Sequence, residues 1–587
     1  MTGGHALVRG SLAALVLVLL AGCGLPLPEG ARSAGQVEAE QQEQIGIQVL
    51  PPGPQEGATP VDLVQGFLRA QSSPADQHAV ARKFLATDTV WDDDELVIVY
   101  RASTPVVTPD PERLGQVLAR LETVARISDD GSYRLESRTL VERYTVGRTA
   151  DGELRLTGVP PGLRLTPADQ ALSYRPYEVE FLARSLSGEP TNRLVADRIF
   201  LPVTGDPALA QALVTAVLQG PSLPLVGAVV TAAPAGTRLA SPVRVDSGVV
   251  TVDLTGEARA LDPPGRQQLS AQLMWTLHPA YTGLRLLVDG EPFEVESVAA
   301  VQEVRDWPGF DPAELAEDAP LLYVADRRLA SLDRPLPSSE ATRVGALPVD
   351  LAAISPVDNE LGLLTRVADG PDEVRTGPLA GPFGAPRLVQ PDLASLSWGP
   401  GDQGLWVLQT GPRPVVWLVP GPGAAPAGEV VTVPYETPGA DAGPLTDLRV
   451  SRDGARVALV FGEGEARRLH VGRIEPVEGG LRIAGVVPVA PALTDVADVA
   501  WETGTLLAVL AADPDTAGLL PVRVAVDGSS AVPVQRGGLT GTPVALAAAP
   551  DRPLTVATEE GGLSRLFRDN GALFRLQQEG SAPFYPG

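Results

Sequence analysis

The chain has 587 residues, 44% hydrophobic and 20% charged, the balance of a folded, water-soluble protein rather than a disordered one. Its 46 basic residues face 72 acids, a formal net charge of −26 that argues against a nucleic-acid partner, since such proteins carry a basic footprint. The only lysine is Lys83, in Arg82-Lys83-Phe84, so a Gly-Lys-Ser/Thr phosphate loop is excluded and a Schiff-base lysine would have to be Lys83 itself.

The first ten residues hold one base, Arg9, and no acid. A short apolar run over 11–20 follows and ends in Leu20-Ala21-Gly22-Cys23. It is too short for a hydrocarbon layer that takes ~20 helical residues to cross. It fits the apolar region of a signal peptide closed by small residues. Cys23 is the sole cysteine, so no intramolecular disulfide, zinc cluster or iron–sulfur site is possible. Leu20-Ala21-Gly22-Cys23 resembles the lipobox of bacterial lipoproteins. The resemblance implies that 1–22 is a cleaved signal peptide. It also implies that Cys23 takes a diacylglycerol thioether and that its new amino group is acylated. Two or three acyl chains hold a protein on a membrane stably.

Export is expected from the same segment, and no later stretch approaches 18 uninterrupted apolar residues, so the body is expected outside the cell membrane, on the extracytoplasmic side. Loss of 1–22 removes Arg9 and leaves a net charge of −27. An acidic body gains nothing from anionic lipid, so the acyl chains are the expected hold.

Residues 23–59 read as a flexible tether, with Pro26, Pro28, Pro51, Pro52 and Pro54 and the polar stretch 38–44. Order begins at Thr59-Pro60, a helix cap followed by proline in the first turn. Val61, Val64, Phe67 and Leu68 then recur at helical spacing. A second short helix is predicted over 76–85. Strands follow at 96–100, 138–147, 153–158 and 177–183, with a hairpin turn at Ala150-Asp151-Gly152. Helices followed by antiparallel strands indicate an α+β domain over 60–192, expected to be nuclear-transport-factor-like. That fold hosts enzymes and inert modules alike, so it carries no functional weight.

A second domain is expected over 193–305. Asp206-Pro207 starts a helix with Leu209, Leu213, Val214, Val217 and Leu218 on one face, and Gly220-Pro221 ends it. A strand at 249–254, a helix at 267–278 and a strand at 284–288 come next. Leu218-Gln219-Gly220-Pro221, Val252-Asp253-Leu254, the 272–277 segment and Val288-Asp289-Gly290 together resemble the GerMN domain of spore-germination and cell-envelope proteins. The resemblance implies a binding or assembly module.

Residues 318–587 repeat. Aligning Ile354, Trp398, Val450, Trp501 and Ala548 gives steps of 44, 52, 51 and 47 residues, each unit a strand end and a tight turn. In the last four, a second apolar strand follows at 405–408, 457–461, 506–510 and 554–557. A period of 40–50 residues with strand–turn–strand units marks a β-propeller. Five repeats are visible, and 321–324 with 328–332 supply either part of a sixth blade or the strand that closes the ring. The expectation is a five- or six-bladed propeller, with a flat β-sandwich as the competing architecture.

Catalytic chemistry finds little support. Of four histidines, His5 leaves with the signal peptide, and His78, His278 and His470 read as lone structural or surface residues. No nucleophile elbow, zinc-protease or calcium-loop spacing occurs. Asp92-Asp93-Asp94-Glu95 reads as a solvated turn beside Trp91, because four adjacent acids cannot converge on one cation. Trp398, Trp406, Trp417 and Trp501 either line a sugar or peptide site or, the favoured reading, pack between blades. No cofactor and no metal is expected.

The lipobox, envelope domain, GerMN domain and propeller, in that order, resemble the actinobacterial LpqB lipoprotein family over the whole mature chain. The resemblance implies a non-enzymatic accessory role: contact with the extracytoplasmic part of an MtrB-like sensor kinase and tuning of an MtrAB-type two-component system in cell-envelope homeostasis and division. Only Cys23 carries over as a site residue. A surface-anchored propeller enzyme acting on cell-wall glycan, or a lipoprotein that captures a small ligand, is the alternative.

Overall fold

The computed structural model describes residues 51–587 except 104, 313–314, 317–318, 334–335, 337–346, 358, 380–381, 422–428, 515, 517, 535–538 and 568–572. Cys23, the signal peptide and most of the tether therefore lie outside the described residues.

The first unit opens as its sequence dictates. Thr59 accepts the backbone N–H of Asp62, and the Asp62 carboxylate accepts the N–H of Thr59, a capping box at the start of the Pro60–Ala70 helix. Leu63, Val64, Phe67 and Leu68 of this helix pack against one face of a curved sheet. The sheet runs in the order Leu154–Gly158, Thr139–Arg148, Gln116–Ile127, Val97–Tyr100, Leu163–Leu165, and Gln116–Ile127 also pairs with Val106–Pro109 and Tyr133–Leu135. Along Gln116–Ile127 every second side chain is buried, as a strand period of two requires. One pairing departs from the antiparallel expectation: Val97–Tyr100 and Leu163–Leu165 run parallel. The long connection between them makes that possible.

The strand predicted at 177–183 belongs to the second unit. Tyr174–Arg184 pairs with Pro190–Pro202 from Tyr174↔Pro202 to Arg184↔Pro190, and Val179, Phe181 and Leu182 sit in the second unit's core. The expected boundary between 192 and 193 thus falls inside one hairpin, whose ladder carries both strands together. The first unit closes earlier, on the Pro167–Ser173 helix, capped by Thr166. In the second unit, Val249–Leu254 and Gly283–Val288 pair in parallel, joined through the helix Pro263–Leu277. The stretch Ala208–Leu225 is apolar enough by composition to cross a membrane. Its helix stops at Gln219, before Gly220-Pro221, and buries Ala210, Leu213, Val214 and Val217 in the core.

The third unit is a six-bladed propeller. Five four-stranded sheets follow in chain order, with inner strands Leu351–Ile354, Leu393–Trp398, Leu445–Val450, Thr494–Trp501 and Pro543–Ala547. The sixth blade is shared by the two ends of the domain. Ser581–Phe584 pairs with Leu322–Ala325, which pairs with Arg328–Ser331. The last strand therefore completes a blade begun before blade one, and the ring is closed by pairing the two ends of the domain.

Candidate functional site

The inner strands surround a central channel of about 340 Å³. Tryptophans set the spacing of the blades around it. Trp398 donates its indole N–H to the carbonyl of Ala353 at 3.0 Å, and Trp501, at the equivalent repeat position, donates to the carbonyl of Arg449 at 2.9 Å. Trp398, Trp406 and Trp501 are buried and Trp417 is half-buried against Gln409, so these rings pack within and between blades.

The channel wall carries a charged set where blades three, four and five meet. Arg449 donates to Asp447 at 2.7 Å and to Asp498 at 3.2 Å. Asp498 also accepts the N–H of Leu546 at 2.8 Å, so blades three, four and five meet at one carboxylate. Burial pushes the Asp498 carboxyl up to about 6, against the opposing pull of Arg449.

One end of the channel is closed by Arg452. Its three nitrogens donate to the carbonyls of Pro586, Trp501 and Ala548 at 2.8, 2.8 and 3.0 Å. Burial lowers its pKa to about 10, which still leaves it charged at neutral pH. The second unit docks at this same end. Arg456 donates to the carbonyl of Ala196 at 2.7 Å, Arg193 to the carbonyl of Asp453 at 3.4 Å, and Arg198 pairs with Asp527 at 3.2 Å. Thr505 bonds Glu178 across the same joint. Arg456 opens the second strand of blade three, and Asp453, Thr505 and Asp527 lie in turns that follow inner strands or join third to fourth strands, all at one end of the ring. At the other end, where inner strands begin, Val496 and Val544 line the channel beside the Arg467–Asp495 ion pair of 2.5 Å.

Glu180 is the unusual group at the joint. It is buried facing Glu178, Asp453, Asp197 and Arg456, and its Oε2 has no hydrogen-bond partner among the described residues. Desolvation, first, and the neighbouring carboxylates push its pKa well above the ordinary glutamate value.

The residues singled out in the sequence do not converge. His78 meets Trp91 edge to face in the first unit, His278 caps the Pro263–Leu277 helix beside Trp275, and His470 is buried against Phe461 in blade three. Asp93 of the acidic turn pairs with Arg82 at 2.7 Å, and Trp91 is buried with its N–H on the carbonyl of Gly162. Lys83 is exposed at a helix end. Sequence reasoning took 449–454 only as a repeat turn and missed Arg449 and Arg452. The signal is in the alignment: the other repeats hold Ala353, Ser397, Ala500 and Ala547 opposite Arg449, and Pro356, Pro400, Thr503 and Pro550 opposite Arg452.

Two α+β units and a propeller plugged where the second of them docks define a multidomain protein of α+β and β-propeller parts. Family models match in the same order: Lipoprotein LpqB, N-terminal domain, over 53–171; Sporulation and spore germination over 181–294; and Lipoprotein LpqB beta-propeller domain over 334–586. Lipoprotein LpqB of Thermobifida fusca is 32% identical, with 98% of each chain covered. Lipoprotein LpqB of Cutibacterium acnes is 28% identical over 97% of this chain and 95% of its own. Among solved structures, TolB from Acinetobacter baumannii aligns at 14% identity and a TM-score of 0.33, covering 46% of this chain and 66% of that one. The chain belongs to the LpqB lipoprotein family, and with it to the membrane-associated lipoproteins.

Proposed function

We propose that the chain is a non-enzymatic, extracytoplasmic regulator or scaffold, held on the cell membrane by lipid on Cys23, that contacts the outer part of an MtrB-like sensor kinase. In this role it tunes an MtrAB-type two-component system in envelope homeostasis and division. The observation that carries the recognition role is the asymmetry of the propeller. One end is taken by the second unit and closed by Arg452, which leaves the end with the Arg467–Asp495 pair for a partner. Asp447 and Asp498 are both held by Arg449, which favours binding over the free acid–base carboxylate pair of glycoside hydrolysis. The kinase as partner is supported by the family resemblance alone.

Crosslinking in intact cells, followed by mass spectrometry of captured partners, tests the proposal. The expected result is a sensor-kinase ectodomain joined to residues at the free end of the propeller. Recovery of no kinase, together with turnover of a cell-wall glycan by the purified protein, would overturn it.

A further inference from the structure

We infer that the outward face of the first unit's sheet rests on an anionic lipid surface. Residues paired across antiparallel strands project from the same side of a sheet. Val106 pairs with Arg120, which pairs with Val141; Thr108 pairs with Leu118, which pairs with Arg143. Further along the same strand Arg126 pairs with Arg134. The helix Pro60–Ala70 and the apolar core cover the opposite face, through Val107, Val117, Ala119 and Leu121. Among the described residues, the outward face is exposed along Val106, Arg120, Val141 and Arg143. The side chains of Arg120 and Arg143 are 61% and 56% exposed, and Val106 and Val141 are each 55% exposed.

The charge on this face runs against that of the whole chain. It carries Arg120, Arg126, Arg134 and Arg143. The facing carboxylates are Glu122, 3.8 Å from Arg120, Asp110, 3.4 Å from Arg143, Asp130, whose charge acts on Arg134, and Glu136, which pairs with Arg138 at 2.5 Å and so adds a fifth arginine beside it. Arg126 and Arg134 stand directly opposite one another, a like-charge pairing that is destabilising unless an outside anion shares it.

The form of the face selects the anion. It is a sheet surface on which aliphatic and guanidinium groups alternate, with no enclosing pocket. Guanidinium groups suit phosphate oxygens bidentately, and exposed valines suit the boundary between headgroups and acyl chains. Leu114, at the tip of the hairpin joining Val106–Pro109 to Gln116–Ile127, is fully exposed beside it. In chain order this unit is also the first described part after Cys23. The inference rests on the proposed anchor for the position of the face, and on the residues above for its chemistry. The expectation that an acidic body gains nothing from anionic lipid is then replaced by a local exception.

The test uses the mature chain from residue 23 with Cys23→Ala, which bears no acyl group. It is sedimented with vesicles of phosphatidylcholine, alone or mixed with phosphatidylglycerol. Binding is expected only where phosphatidylglycerol is present, and is expected to weaken with added salt. The triple variant Arg120→Glu/Arg126→Glu/Arg143→Glu should lose at least about tenfold in binding. These side chains are exposed, so circular dichroism should show an unchanged fold, and Arg305→Glu, on the second unit, should bind as the parent does. Equal sedimentation with both vesicle types, or an unchanged triple variant, would overturn the inference. So would binding to a soluble polyanion such as heparin under conditions where the vesicles fail. Since no acyl chain is present, failure here leaves the Cys23 anchor standing, and loss of that anchor leaves this result standing.

Discussion

The guanidinium of Arg456, in blade three, donates to the main-chain carbonyl of Ala196 at 2.7 Å and so ties the propeller to the long hairpin of the second unit. The same side chain reaches the carbonyl of Gly504 at 3.3 Å and lies 3.8 Å from Asp453, with Glu180 and Asp197 also within its field. One buried cation therefore balances a joint that holds several buried acids.

Arg456→Met is expected to cost about 3–5 kcal/mol, because it leaves those acids without their counter-charge. Calorimetry should show a lower melting transition, and limited proteolysis should open the Pro190–Pro202 hairpin. An unchanged melting profile would mean that apolar packing alone holds the joint.

Glu180 gives the joint a pH dependence with a definite sign. Its pKa is raised, so the folded chain holds this proton more tightly than the unfolded chain does. The associated stability is greatest below the ordinary glutamate pKa of about 4.3 and is lost as pH rises towards the raised value. Glu180→Gln should match the parent in mild acid and exceed its melting temperature in mild alkali. A variant that tracks the parent at every pH would refute the assignment.

Two buried tryptophans should respond differently to loss of the indole N–H. Trp398 donates to Ala353, whereas the Nε1 of Trp406 has no partner among the described residues. Trp398→Phe loses this hydrogen bond, while the Ala353 carbonyl keeps its ladder partner Gly362, and should cost about 0.5–1.5 kcal/mol more than Trp406→Phe. Denaturant titration of both variants measures the difference.

Cys23→Ala should be shed or left unprocessed when cells are fractionated. Normal membrane retention of a processed form would show that the chain is held by something other than lipid on this residue.

Local chemistry is legible in the amino-acid sequence alone. Thr59, Pro60 and Asp62 start the first helix as a capping box, and Gly220-Pro221 stops the second unit's apolar helix, because caps and breakers act within a few residues. The propeller is legible because each blade repeats one strand–turn–strand pattern, down to Trp398 and Trp501 making the same hydrogen bond in two blades. The features that depend on distant residues meeting are not legible. The sixth blade joins Leu322–Ala325 to Ser581–Phe584, the strand Tyr174–Arg184 takes its place from its partner Pro190–Pro202, and Glu180 meets Asp453 and Arg456 across two units.

Composition, caps and repeats determined by themselves that this is an acidic chain of α+β units followed by a propeller. Only the tertiary structure decided which end of the propeller is plugged, that Arg449, Arg452 and Arg456 bridge blades and units, and that arginines gather on one face of the first unit's sheet. The physical reason is that net charge is a sum over the whole sequence. The charge of a face depends on strand register, which sets Arg126 opposite Arg134.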